Sequence, residues 1–91
     1  MTTDYEDITI NMGDQAQAFF NSEVGKYVLN RCNQEIQANM DKLTKVDPDN
    51  GRKVREYQNS VRIARMLPEH INELIGDRNQ LLRQMELEDD A

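Results

Sequence analysis

The sequence predicts an all-α protein: an antiparallel helical hairpin with a short N-terminal helix and a long, Pro-kinked second helix. Three observations carry this. Apolar residues recur every three or four positions over most of the chain. A single proline-containing stretch, "VDPDNG", interrupts the pattern near the middle. Beyond it the apolar register persists across Pro68 without a slip.

Taken in order, residues 1–13 hold three acids, three threonines and no evident helical period, and read as a flexible acidic tail. Tyr5 to Ile10 is the one part of it with another use, as a strand added to a partner's sheet edge. The segment "GDQAQAFF" suits a short helix capped by Asp14, with Ala16, Phe19 and Phe20 on one side. Ser22 is the expected N-cap of the next helix, and Glu23 favours its positive end. Val24, Val28, Cys32, Ile36, Met40 and Leu43 mark the apolar stripe of that helix, which is expected to run to about Val46.

The stretch after Val46 could be a cation loop or a corner. An EF-hand loop needs oxygen ligands at its positions 1, 3 and 5, glycine at 6 and glutamate at 12. Counted from Asp47, position 6 is Arg52 and position 12 is Gln58. The corner accounts for the residues better: Asp47 as cap, Pro48 in the first helical turn, and Asp49 at the positive helix end. So short a connection makes the flanking helices antiparallel neighbours.

The second long helix is expected from about Pro48 to about Leu87. Val54, Tyr57, Val61, Ala64, Pro68, Ile71, Ile75, Arg78, Leu82 and Met85 alternate spacings of three and four, as a heptad seam does. Arg78 at the seam, with Gln58 and Asn59, bears on register or marks the seam's edge. A break at Pro68, giving a three-helix bundle, is the alternative; Leu67 would cap such a third helix poorly. At the standard rise the unbroken helix is roughly 60 Å long, against roughly 37 Å for the one before it. The reading therefore leaves the second half of the seam short of cover. Val61, Ala64, Ile71, Ile75, Leu82 and Met85 become a self-association seam, and the chain a homo-oligomer.

The totals fit a single small helical domain over 14–87, with an acidic end at 88–91. The net charge is −6, which argues against general affinity for nucleic acid or anionic membranes. No apolar run approaches a membrane span, and the acidic N-terminus lacks the positive region of a signal peptide. A cytoplasmic location is expected. The single cysteine, Cys32, allows no internal disulfide and no thiolate metal site.

Candidate chemistry is sparse. His70, the only histidine, is flanked by acids and reads as a helix-surface residue. Cys32 sits in an apolar stripe and reads as an inert thiol. Ser22 and Ser60 have no activating base at a plausible spacing, and the acid pairs Asp47/Asp49 and Glu69/Glu73 fall on a turn and a wet face. No enzymatic activity, cofactor or metal is expected. Arg52, Arg55, Arg62 and Arg65 form a basic flank off the seam that could grip phosphates. Glu69, Glu73 and Asp77 follow it, so antiparallel packing of two such helices would match opposite charges.

"FFNSEVGKYVLNR", "VDPDNGRKVREYQNSVR" and "INELIGDRNQLL" together resemble a group of short helical proteins encoded by tailed bacteriophages. The shared features are Phe20, Ser22, Val24, Gly25 and Tyr27 at the opening, Pro48 in the turn, and the Gln58–Asn59 pair. The resemblance implies a phage origin and a compact helical protein, with no activity to carry over. The function expected is a protein–protein interaction or assembly module, with a virion or host protein as a possible partner. Two alternatives remain: a nucleic-acid-binding accessory protein using the basic flank, and an acidic decoy that occupies a host protein.

Overall fold

In the computed structural model, which describes residues 3–89, the chain is all-helical: α1 (Asp4–Asn21), α2 (Glu23–Lys45) and α3 (Gly51–Asp89). Residues 1, 2, 90 and 91, parts of the expected tail and acidic end, lie outside the described residues. The contacts gather into two compact units, Met1–Lys26 with His70–Ala91, and Tyr27–Glu69. α3 contributes to both.

In the first unit α1 starts far earlier than the expected cap at Asp14. Thr3 is its N-cap. The Thr3 hydroxyl accepts from the Glu6 amide at 3.1 Å, and the Glu6 carboxylate accepts from the Thr3 amide at 3.2 Å. This reciprocal pair satisfies two backbone donors that a helix start leaves unpaired. Asp4, Glu6 and Asp7 occupy the first turn, where negative charge meets the positive end of the helix. The acids that made residues 4–13 look like a solvated tail are thus a helix-start signal. Asp14 lies inside the helix, not at its beginning. Thr3→Ala is expected to cost about 1 kcal/mol of local stability. Faster amide exchange at Glu6 and Asp7, with little change in 27–69, would register it.

The second unit contains the corner. α2 ends at Lys45 and α3 begins at Gly51, three residues later than the expected start at Pro48. Asp47 caps a turn here and not the helix: its carboxylate accepts from the Asp49 amide at 3.0 Å, and its carbonyl accepts from the Asn50 amide at 2.9 Å. Pro48 fits the second position of such a turn, where its fixed φ is already suitable. Asn50 caps α3, accepting from the Lys53 amide at 3.3 Å.

α3 passes through Pro68 as one helix of 39 residues. Pro68 has no N–H to give the Ala64 carbonyl, so one ladder bond is missing there.

On α2 the inward stripe differs from the expected one at two places. Val24 and Met40 are exposed, whereas Asn39 is buried. The Asn39 amide donates to the Glu35 carbonyl at 2.8 Å, so the buried polar group is satisfied within its own helix. Val28, Cys32, Ile36 and Leu43 keep their half-buried places. Across the corner, the Lys42 ammonium stands 5.7 Å from the centre of the Tyr57 ring.

Candidate interaction surface

The seam of α3 is spent, for the most part, inside the chain. Val61 is 6% exposed, and Ala64, Ile71, Ile75 and Met85 are half-buried; only Leu82, at 42%, stays open. In the first unit the extra turns of α1 supply cover that the sequence reading did not count. Those ten residues add roughly 15 Å of helix at the standard rise.

Arg78 shows how closely α1 approaches. Its side chain is 14% exposed. One guanidinium nitrogen donates to Asp14 Oδ1 at 3.1 Å and to the Gly13 carbonyl at 3.3 Å. The other donates to Gln17 Oε1 at 3.3 Å and to Asn79 Oδ1 at 3.0 Å. A seam arginine is therefore neither stray nor at the edge. It is a partly buried charge with an ionic partner and three further acceptors. Gly13 makes room for it, since a Cβ there would land on the Arg78 side chain.

The joint between α1 and α2 is a single residue, Ser22, in an extended conformation. Its hydroxyl donates to the Phe19 carbonyl at 2.7 Å and accepts from the Gly25 amide at 2.9 Å. It closes one helix and caps the next, as the sequence reading expects for the second role. Gly25 is buried, and any Cβ there would meet the Phe19 backbone.

Open apolar surface lies elsewhere. On α3, Ile63 is 59% exposed and Met66 51%, with Leu67 beside them. Positions i, i+3 and i+4 share one helix face. At the standard turn per residue the centre of this strip lies roughly 140° round the helix from Val61 and Ala64, with Leu67 on the side nearer the seam. It was missed because heptad reasoning assigns the apolar residues of a helix to one seam and leaves the remainder as solvent-facing.

The four flank arginines differ in company. Arg52 pairs with Glu56 at 3.7 Å, and Lys53 shares that carboxylate at 3.4 Å. Arg62 donates to Asn59 Oδ1 at 2.9 Å. Arg55, Arg62 and Arg65 have no acidic partner among the described residues. Arg55 and Arg62 border an open hollow of about 210 Å³ with Gln58 and Asn59.

The remaining candidates stand apart from one another. The Ser60 hydroxyl donates to the Glu56 carbonyl at 3.0 Å. His70 is exposed, 3.7 Å from Glu73. Cys32 is a half-buried free thiol. Among the described residues no three His, Cys, Asp or Glu side chains gather as metal ligands, and no helix is long and apolar enough to cross a membrane. Comparison with family models, with curated proteins and with solved structures finds nothing that matches this chain.

Proposed function

We propose that this chain is a non-enzymatic helical module that works by protein–protein contact and associates with itself along α3. One observation carries the reading. Among the described residues Ala16 and Val61 are the buried hydrophobics, while Ile63 at 59%, Met66 at 51% and Leu67 at 37% stand open together on one face of α3. The arrangement proposed is the helical hairpin, with α2 and the first half of α3 antiparallel across the corner. In the phage setting that the resemblance implies, the module serves virion assembly or engages a host protein in the host cytoplasm.

Sedimentation equilibrium over a wide concentration range tests self-association. The expected result is a mass that rises with concentration toward a dimer or higher oligomer. A monomer mass throughout would overturn it. Association through the seam itself requires α1 or α2 to come away first. Its signature is slow exchange that speeds up under mild denaturant.

A second reading, nucleic-acid binding, draws on the acid-free Arg55, Arg62 and Arg65, against a net charge of −6. It expects duplex retention in gel shifts that collapses as salt rises, and that falls on Arg55→Ala. The decoy reading expects capture by a DNA-binding host protein in competition with DNA.

A further inference from the structure

We infer that a second copy of this chain docks on the outer strip of α3, antiparallel, about a two-fold axis beside Met66. The inference rests on the self-associating reading above and specifies its surface. Ile63, Met66 and Leu67 form the apolar centre, exposed on the side of α3 away from the seam. Three adjacent large apolar side chains on one helical face are more than the scattered singles of an ordinary surface.

Charge decides the occupant and its direction. Arg62 and Glu69 are seven residues apart on one helix, so they lie on the same edge of the strip, two turns apart. They are too distant, by roughly 10 Å along the helix, to pair with each other. Among the described residues neither has an ion-pair partner; Arg62 is held by the Asn59 amide. In antiparallel packing the same edge of each helix meets its counterpart. A two-fold axis midway between the two positions, between the levels of Arg65 and Met66, brings Arg62 of each copy level with Glu69 of the other. The interface is then isologous: one apolar centre and two identical ion pairs, made from a single self-complementary strip. A parallel arrangement would instead set this edge of one copy against the opposite edge of the other, leaving Arg62 and Glu69 without these pairs.

The full-length protein tests this by sedimentation equilibrium, with far-UV circular dichroism as the folding check. The positions changed on α3 are on the surface, so the helical spectrum is expected to persist. Ile63→Asp is expected to weaken the dimer by about thirtyfold or more, as removal of a central apolar anchor does. Arg62→Glu and Glu69→Arg, each alone, are expected to weaken it by at least about tenfold, since each places like charges together twice. The double variant R62E/E69R restores opposite charges and is expected to recover association. A Met66→Cys change in a Cys32→Ser background is expected to yield a disulfide-linked dimer on mild oxidation, because the axis passes beside that residue. If the wild type is a dimer that tolerates Ile63→Asp and the single reversals, this surface is wrong while self-association stands. If the double reversal is no better than the single ones, the antiparallel pairing is wrong. If the wild type is monomeric at every concentration, the functional reading fails first and takes this surface with it.

Discussion

Gly13→Ala is expected to destabilise the protein, although alanine is the better helix former by about 1 kcal/mol. Gly13 is buried inside α1, and an added Cβ would land on the Arg78 Cβ, with the next two side-chain carbons at 2.9 Å. The Arg78 Cβ cannot turn aside, because it is fixed to the backbone of α3. Relief requires α1 to lift from the second half of α3. That movement also stretches the bonds from Arg78 to Gly13, Asp14 and Gln17. Overpacking of this kind costs about 1–3 kcal/mol, and leaving a partly buried guanidinium short of acceptors adds to it. Gly13→Leu should reach about 4 kcal/mol, a large part of the total stability of so small a chain. Amide exchange would show lost protection over 4–21 and 70–89. Gly76 is the control: nothing lies within 4 Å of a Cβ there, so Gly76→Ala should stabilise by about 0.5–1 kcal/mol. Equal stabilisation by the alanines at 13 and 76 would remove the close approach of α1 to Arg78 from the account.

Gly25→Ala is expected to be comparably harmful, for a different reason. The atom in the way is the Phe19 carbonyl oxygen, part of the backbone that ends α1. A side chain can rotate; a backbone carbonyl at a helix end cannot move without the chain. The extended Ser22 and its paired bonds to Phe19 and Gly25 exist only while residue 25 has no Cβ. With alanine at 25 the strain is relieved if Ser22 turns helical and α1 runs on into α2. α1 then leaves its place against Arg78. The expected cost is about 2–4 kcal/mol, with helix content by far-UV circular dichroism nearly unchanged. Loss of protection should centre on 13–26. Ser22→Ala removes the cap alone and should cost about 1 kcal/mol, leaving the joint in place. If Gly25→Ala raised the melting temperature, the joint would not depend on a missing Cβ.

Helix content, the Ser22 cap, a corner after Val46 and the phase of α3 were legible in the sequence. Each is set locally or by a repeating pattern: hydroxyl before a helix, proline and amides in a turn, apolar residues every three or four positions. The start of α1 was legible too, in Thr3 and Glu6, but its acids were read as solvation. What the pattern of α3 could not say was which neighbour meets the seam. Periodicity marks a face for burial without naming what buries it, and α1 and a second copy look alike from that side. The placement of Arg78 was equally out of reach. An arginine at a seam position becomes acceptable only when Asp14, Gln17 and the bare backbone of Gly13 arrive together, from more than sixty residues away.

The sequence by itself determined the helices and most of their limits, because hydrogen bonds between near neighbours and the period of the helix fix these. Tertiary structure alone decided that the heptad stripe serves the chain's own packing and that Ile63, Met66 and Leu67 are left outside. For the part of the stripe beyond residue 69, that outcome depends on how closely α1 can approach, a distance that holds because Gly13 carries no Cβ.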